Sequence, residues 1–462
     1  MNYQSLLETP LTEFSKEHPA PQTVCGVCKD GELLAIGSAN ATGFAELAKP
    51  SHASFRIASM TKCFAAAAIL KLRDEGRLQL ERSAADYLPE LALTGRWREV
   101  TVRQLLSMRS GLPAADDPWA DRKLSESDAF LTSGLLNSAH FSNDPDEEYQ
   151  YSNLGYMVLG RIISNVAQQH ALQYISEAFL APLGMTQTTW NLPAEDSAGG
   201  YRPTPRGFAS ETAFRAQSDL AVFGGICSTL ADMALWVNFM VDAHRTQSVQ
   251  LEPVLSARSR REMQRAQVVM HPISSAEIEN RPIGYGYGLR ANYIGNEWFI
   301  GHSGGLPGYG SHMSWSPTRG IGVIALGNAT YFAAPELCKE ILIAIQGRSS
   351  RRMAHLAHGV QIVVSRGKDL VEAILGDATG LPGELFAYNF PADEELETLL
   401  DRLRGALQEA QRTSIEVRAE RGFAGAIYAG DKPLVFYSLA PVEDYRIQKI
   451  SFYPTAPVDA QP

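Results

Sequence analysis

The apolar positions of the first hundred residues predict a β-hairpin followed by helices. Residues 22–40 contain two apolar runs on either side of a Lys-Asp-Gly turn, which is typical of two strands joined as a hairpin. Residues 59–75 are rich in Ala, Leu and Lys, and Gly76 follows as a residue that commonly ends a helix. A second helix is predicted to begin at Thr101, which stands in capping-box spacing with Gln104.

Farther along, the pattern predicts helices in the middle of the chain and strands near its end. Leu154, Val158 and Ile162 form one apolar stripe of a helix that begins at Ser152. From residue 298 onward, three apolar runs separated by turns predict strands, and a helix follows them. The simplest fold joins the early hairpin and these late strands in one antiparallel sheet.

We therefore expect an α+β fold in which helices flank an antiparallel sheet. Residues 1–348 would form this domain, with an all-helical insertion at approximately 77–220. The segment after 348 is basic and polar, and the pattern beyond it predicts one helix and a few strands. Residues 349–462 are therefore expected to form a small α+β accessory domain.

Composition excludes several classes of protein. The chain has 462 residues, 45% hydrophobic and 20% charged, which is ordinary for a globular protein. Its net charge of −10 argues against a nucleic-acid partner, since binding to phosphates requires a basic face. The longest apolar run, residues 63–70, is far shorter than the roughly 20 residues that cross a bilayer, so no membrane association is expected.

The cysteines and the N-terminal sequence favour a cytoplasmic protein. The chain has 5 cysteines, an odd number that fits reduced thiols. The N-terminal residues lack the basic and apolar regions of a signal peptide. Cys25 and Cys28 form a CxxC pattern on a predicted strand, where side chains three apart point to opposite faces. We therefore interpret them as structural.

The first candidate for chemistry is the segment Ser59-Met60-Thr61-Lys62. A serine in the first turn of a helix presents its hydroxyl beside free backbone N–H groups and the positive end of the helix dipole. Lys62 lies three residues on, on the same face of the helix, so its amine can reach that hydroxyl. Burial disfavours a charged ammonium, which would allow Lys62 to accept or relay a proton.

Two further motifs follow at long intervals. Tyr151-Ser152-Asn153 begins 92 residues after Ser59; a phenol near a lysine can act as a general base, and an amide can hold a substrate carbonyl. His302, a further 151 residues on, opens the segment His-Ser-Gly-Gly on a predicted strand. Glycines there let a substrate lie against the strand edge, and the backbone N–H of Gly305 could be one oxyanion donor.

In this order, SxxK, YxN and HxG resemble the motifs of the class C β-lactamase-like serine hydrolases. That group includes penicillin-binding-protein-like D-peptidases and family VIII esterases, and the SxxK motif also occurs in related class A enzymes. The flanking segments FRIASMTKCFAAAAILKL, VTVRQLLSMRSGLP, YSNLGYMVLG and GHSGGLPGY are similar to the family as well, so that the likeness covers roughly residues 15–347. The resemblance implies a β-lactamase/transpeptidase-like fold.

The resemblance also implies roles for individual residues. Ser59 would be the acylated nucleophile, Lys62 its proton partner, and Tyr151 the base that activates Ser59 and later the deacylating water. Asn153 would orient the substrate. Gly304 belongs to the third motif, and the N–H groups of Ser59 and Gly305 would form the oxyanion hole.

The sequence departs from the true β-lactamases at the first position of the third motif. They carry Lys where this chain has His302, which we expect to be a weaker, pH-dependent cation. HxG resembles esterases, D-aminopeptidases and related amidohydrolases, so efficient β-lactam turnover is not expected. The implied mechanism needs no metal and no other cofactor. We expect Trp119, Phe223 and Tyr309 to line the pocket.

The leading hypothesis is a serine hydrolase of carboxylesterase type that acts on a small ester, amide or short peptide. A D-amino-acid-specific peptidase or amidase, or an acyltransferase of the same family, is the alternative. Two more distant hypotheses remain. One is a scaffold that has kept the fold and lost the chemistry. The other is an α/β-hydrolase that uses Ser303 of GHSGG as a nucleophile elbow. The oligomeric state is left open.

Overall fold

A computed structural model describes most of the chain. The described residues are 2–91, 93–113, 141–211, 219–245, 251–270, 283–294, 297–348, 353–375, 396–410, 415–419, 424–430, 432–439 and 447–452. Internal contacts divide the chain into two compact units, Met1–Gln346 and Gly347–Pro462.

The first unit is built on an eight-stranded antiparallel sheet. The spatial order of its strands is β2-β1-β12-β11-β10-β9-β8-β7. The hairpin of β1 and β2 therefore joins the last strand, β12, as the hydrophobic pattern predicted. The strands of the sheet are β1 Gln22–Lys29, β2 Glu32–Asn40, β7 Val268–Met270, β8 Ile283–Tyr285, β9 Arg290–Ile294, β10 Glu297–Leu306, β11 Tyr309–Trp315 and β12 Ile321–Gly327.

Helices cover both faces of this sheet. The helices of the first unit are α1 Tyr3–Glu17, α2 Lys62–Asp74, α3 Val102–Leu106, α4 Asn153–Ala167, α5 Ala171–Ile175, α6 Leu230–Asp242, α7 Ala257–Gln264 and α8 Ala334–Arg348. The predicted caps are present: Thr101 and Gln104 form a capping box, and the hydroxyl of Ser152 accepts from the N–H of Gly155. Gly76 follows α2 with a φ of +73°.

The side-chain alternation of the strands creates two hydrophobic cores. Cys28 and Val24 belong to a large core with α2, α4 and α6, whereas Cys25 belongs to a second core with α1 and α8. Strands β11 and β12 are buried along their whole length because both of their faces are covered. One face of the sheet therefore packs against α2, which follows Ser59 in the chain.

The insertion is not all helical, which corrects one expectation from the sequence. Strands β4 Tyr201–Thr204 and β5 Gly207–Ser210 form a hairpin within the range assigned to helices. The sequence does not indicate this hairpin because it contains Pro203 and Pro205, and proline usually argues against a strand. Strands β7, β8 and β9 were also missed, because each is short and lacks a run of alternating apolar residues.

The second unit consists of two helices and a four-stranded antiparallel sheet in the order β13-β14-β15-β16. Its elements are α9 Met353–Leu375, α10 Leu396–Ala410, β13 Ile415–Ala419, β14 Ala424–Ala429, β15 Lys432–Leu439 and β16 Ile447–Phe452. A separate core joins them, with Leu370, Leu403 and Tyr437 fully buried.

The cysteines of the described chain are buried thiols. All 5 are free. Burial raises the pKa of both Cys25 and Cys28 to about 12, so these thiols remain protonated and unreactive at neutral pH. Within the described ranges, no group of three metal-ligating side chains is found, and no helix is long and apolar enough to cross a membrane.

Candidate active site

Ser59 lies in a short 3₁₀ turn, Ala58–Thr61, that leads directly into α2. The chain enters this turn from β3 Phe55–Arg56, which pairs with β6 Cys227–Ser228. The carbonyl of Ile57 accepts from the hydroxyl of Ser311 on β11 at 2.8 Å. Ala58 has a φ of +48°, in the left-handed region that non-glycine residues seldom adopt. The strained turn is therefore tied to the sheet immediately before the half-buried Ser59.

Lys62 is completely buried, at 0% exposure, and points at Ser59. Its Nζ lies 2.8 Å from Ser59 Oγ and 2.8 Å from the backbone carbonyl oxygen of Phe223. It also lies 5.0 Å from the centroid of the Tyr151 ring. The structure thus brings the serine, the amine and the phenol ring of the first two motifs together.

Tyr151 and Asn153 flank the N-terminus of α4. Ser152 between them is the N-cap, so the helix start fixes the direction of both neighbours. Tyr151 is half-buried, and its ring lies 6.2 Å from the His302 ring, centroid to centroid. Asn153, the first residue of α4, is also half-buried. The second motif therefore meets the third beside Lys62.

His302 on β10 is buried and uses both ring nitrogens within the protein. Nδ1 lies 2.6 Å from the carbonyl oxygen of Ser303, which can only accept, so Nδ1 carries the proton. Nε2 lies 3.4 Å from the hydroxyl of Tyr285, which fits a long hydrogen bond donated by the phenol. Burial, with Arg290 and Lys62 nearby, holds the pKa of His302 well below its usual 6.5. The imidazole is therefore neutral at neutral pH, and the weak cation expected from the sequence is absent.

Glycines on β10 allow the strand to approach the turn that carries Ser59. A Cβ on Gly304 would lie 2.1 Å from the carbonyl oxygen of Ile57, so a side chain cannot fit there. The described part of β9 pairs with β10 only as far as Gly301. Residues 302–306 therefore have no described strand along that edge, where an extended substrate could pair with the backbone.

Ser303 is placed on the opposite side of the strand by alternation. Its Oγ lies 2.9 Å from Nδ1 of His312 on the adjacent strand. β10 continues past it as a regular antiparallel partner of β11 up to Leu306. A nucleophile elbow requires a sharp turn into a helix, so the α/β-hydrolase alternative is wrong.

Comparison with known proteins identifies the family. A model of the beta-lactamase family matches residues 8–347. The chain belongs to the beta-lactamase family.

A curated relative and two solved structures show how far the likeness extends. Protein flp of Staphylococcus aureus is 28% identical over 313 residues, which cover 65% of this chain and 58% of that protein. The chain thus spans little more than half the length of that relative. An octameric penicillin-binding protein homologue from Pyrococcus abyssi has 21% identity and a TM-score of 0.62, over 96% of this chain and 94% of that chain. A D-amino acid amidase from Ochrobactrum anthropi has 22% identity and a TM-score of 0.61, over 76% of this chain and 99% of that chain. At these identities the two structures show the shared β-lactamase/transpeptidase-like fold.

Of the three residues expected to line the pocket of this beta-lactamase-family protein, the structure describes two. Trp119 lies outside the described residues. Phe223 is buried, and its backbone carbonyl accepts from Lys62. Tyr309 is buried, and its hydroxyl donates to the carbonyl of Ala198 at 2.9 Å. These last two side chains support the site from within the core.

Tyr285 and Arg290 also lie at the site, although the sequence motifs did not indicate them. Tyr285 on β8 is fully buried and contacts His302. Arg290, the first residue of β9, has its Cζ 5.6 Å from the Tyr151 ring centroid. The only signal in the sequence was an arginine after the alternating Tyr-Gly segment of residues 285–288.

Proposed function

We propose that this protein is a serine hydrolase that cleaves a small ester or amide through an acyl-enzyme on Ser59. The observation that carries the proposal is the contact between Lys62 Nζ and Ser59 Oγ at 2.8 Å, made by an amine with no exposure to solvent. A structural lysine would gain more by reaching solvent, whereas a buried amine on a half-buried hydroxyl suits proton transfer. We propose a cytoplasmic location for the enzyme, in keeping with its buried free thiols.

In the first half-reaction, Ser59 Oγ attacks the carbonyl carbon of the substrate as its proton passes to Tyr151, with Lys62 beside both groups. The carbonyl oxygen becomes an oxyanion that the N–H groups of Ser59 and Gly305 would stabilise. When the tetrahedral intermediate collapses, the bond to the leaving alcohol or amine breaks, and Tyr151 returns the proton to that group.

In the second half-reaction, water takes the place of the leaving group. Tyr151 accepts a proton from the water, whose oxygen attacks the acyl carbon, and Ser59 leaves with that proton. An alcohol or amine that reached the same position would give acyl transfer, so the product depends on which nucleophile enters. Asn153, the first residue of α4, would hold the substrate carbonyl or amide, as the resemblance of the motif implies.

The neutral state of His302 bears on the substrate class. Because its two nitrogens are used by Ser303 and Tyr285, the third motif brings no positive charge for a substrate carboxylate. True β-lactamases use a lysine at this position, according to the resemblance of the motifs. We therefore expect neutral esters and amides to be better substrates than β-lactams.

An amidase specific for D-amino acids is the second candidate. It is favoured by the fold shared with the D-amino acid amidase from Ochrobactrum anthropi and by the open edge of β10 at residues 302–306, where a peptide could pair with the strand. A Ser–Lys–Tyr site can attack an ester or an amide, so only substrates distinguish the two candidates.

The test is a substrate panel combined with intact-mass detection of the acyl-enzyme. The panel contains p-nitrophenyl esters, D- and L-amino-acid amides, D-Ala-D-Ala peptides and nitrocefin. We expect turnover of at least one ester or amide and a mass increase on one serine, with Ser59→Ala abolishing both. Ser303→Ala, on the same chain and one face away, is the matched control and should retain both. Labelling by a fluorophosphonate that survives Ser59→Ala would refute the proposal, as would nitrocefin turnover above that of every ester and amide.

A further inference from the structure

In the proposed mechanism, Tyr151 must be an anion when it takes the proton of Ser59. Groups near the phenol oxygen must therefore stabilise that negative charge. An ionised phenol requires positive charge close by, or a set of donors to its oxygen. In this chain the third motif does not supply that charge, because His302 is neutral and its nitrogens are used elsewhere.

Arg290 on β9 pairs with Gly301, next to His302, and its guanidinium lies beside the Tyr151 ring. Its Cζ is 5.6 Å from the Tyr151 ring centroid, and Lys62 Nζ is 5.0 Å from the same centroid. Both distances are within the range of a cation–π contact. The Tyr151 ring therefore lies beside one basic side chain from α2 and one from β9.

Arg290 interacts electrostatically with Tyr149 as well as lying beside the Tyr151 ring. It is half-buried, and its Nε is buried with no hydrogen-bond partner among the residues that the structure describes. Within those same residues, no carboxylate lies within 4.0 Å of its guanidinium to neutralise it, unlike Arg260 with Asp242 or Arg319 with Glu297. An arginine remains charged at any working pH.

The other titratable groups around Tyr151 come from every element packed against it. They are Lys62 and Cys63 on α2, Tyr156 on α4, Tyr285 on β8, Arg290 on β9, His302 on β10 and Tyr149 in the preceding loop. Burial raises the pKa of Tyr149, Tyr156 and Tyr285, so these three phenols stay protonated. Tyr151 is the phenol of this group whose ring lies beside both Lys62 and Arg290, at 5.0 Å and 5.6 Å from the centroid.

We propose that Arg290 is a positioning residue of the active site, whose guanidinium stabilises the ionised form of Tyr151 and so replaces the charge that the third motif lacks. The inference rests on the proposed role of Tyr151 as the base. Arg290 would act through Tyr151 and would not need to touch the substrate.

The first test measures the ionisation of the Tyr151 phenol directly and does not require turnover of a substrate. Tyrosines labelled with ¹³C at Cζ are titrated by NMR in the full-length protein, and the Tyr151 signal is assigned by its loss in Tyr151→Phe. We expect Tyr151 to ionise at lower pH than its neighbours. Arg290→Met should raise its midpoint by about one pH unit, which is a tenfold loss of phenolate at a given pH. Arg290→Lys should restore the midpoint of the native protein.

The second test follows the rate of fluorophosphonate labelling of Ser59 against pH. The acidic limb of the profile should move upward in Arg290→Met by the same amount as the NMR midpoint, and the rates should converge at high pH. Arg290→Gln serves as a second neutral variant in case the methionine variant does not fold. Arg319→Met, which removes a half-buried arginine paired with Glu297, is the matched control. It should change neither the NMR midpoint of Tyr151 nor the acidic limb of the labelling profile.

Two outcomes would overturn the proposal. One is a Tyr151 midpoint that is the same in the native protein and in a folded neutral variant. The other is a variant whose only defect is a higher KM for substrates that carry a carboxylate, which would make Arg290 a substrate anchor. If the native protein is not labelled at Ser59 at all, the proposed function fails, and the NMR titration still decides the role of Arg290.

Discussion

At the scale of single residues, Lys62 is held by two acceptors, Ser59 Oγ and the carbonyl of Phe223. Lys62→Met keeps most of the apolar volume and removes the amine. We expect the rate of Ser59 labelling to fall by about 10²–10⁴, the usual contribution of a proton-transfer group. Lys71→Met, about two and a half turns along the same helix, is the control; its Nζ contacts the backbone carbonyls of Pro253 and Val254, away from the site. Equal labelling of the two variants would remove Lys62 from the mechanism.

Two buried histidines on adjacent strands predict how stability depends on pH. Burial holds the pKa of His302 well below 6.5 and lowers the pKa of His312 to about 3. The unfolded chain therefore binds more protons than the folded one below about pH 6.5, and stability is lost as the pH falls through that window. His312 should cost about 1.6 kcal/mol of unfolding free energy between pH 6.5 and 5, and His302 should add to the loss in the same direction.

Urea unfolding at a series of pH values measures this loss. His312→Gln should flatten the acidic side of the curve, because it removes one of the two titrating groups. A stability that stays constant from pH 7 to 5 would contradict the neutral state of these imidazoles.

The residues that the sequence could identify were those in ordered motifs. Ser59, Lys62, Tyr151 and His302 stand out because their spacing and flanks are matched together, although each motif alone is weak. The charge state of His302 and the position of Arg290 could not be read from the sequence, since both depend on which side chains surround them after folding. Arg290 contacts Tyr151 only because β9 lies next to β10 in the sheet.

At the scale of elements, the loop between β8 and β9 packs directly against α2. Gly288 has a φ of +68°, and a Cβ there would lie 2.8 Å from the carbonyl oxygen of Lys62 and 2.9 Å from Cys63 Cα. Gly288→Ala therefore combines backbone strain with a clash against backbone that cannot easily move. We expect it to cost about 3 kcal/mol or more of unfolding free energy and to slow Ser59 labelling.

Gly76 gives a matched control at the other end of the same helix. Its φ is +73°, and a Cβ there would meet no atom within 4 Å. Gly76→Ala thus carries only the backbone term of about 1 kcal/mol and should not change the labelling rate. If urea unfolding gave the same loss for both alanine variants, the packing of residue 288 on α2 would not matter to the fold.

The elements were predictable where one periodicity is long and bounded by caps. The hairpin of β1 and β2, helices α2 and α4, and strands β10 to β12 all satisfy that condition. The hairpin β4–β5 and strands β7 to β9 do not, because they are 3 to 5 residues long and gain their stability from neighbours in the sheet. Short strands of this kind are decided by tertiary pairing, which a single sequence does not display.

At the scale of the whole molecule, every described residue of the candidate site belongs to the first unit, Met1–Gln346. Its two hydrophobic cores contain only residues of that unit, and the third core contains only residues from 370 to 447. The first unit therefore has its own buried interior. We predict that cutting the chain between the units leaves the chemistry of Ser59 intact.

The cut is made by placing a specific protease site after Arg348 in the full-length protein and cleaving the folded product. The rate of fluorophosphonate labelling should stay within about threefold of that of the uncut protein, because a separately packed unit keeps its own stability. A version with the same site inserted in the Gly207 turn of the β4–β5 hairpin, inside the first unit, is the comparison and should lose more activity on cleavage. Loss of labelling after the cut at 348 alone would mean that the second unit contributes to the catalytic unit's structure or site.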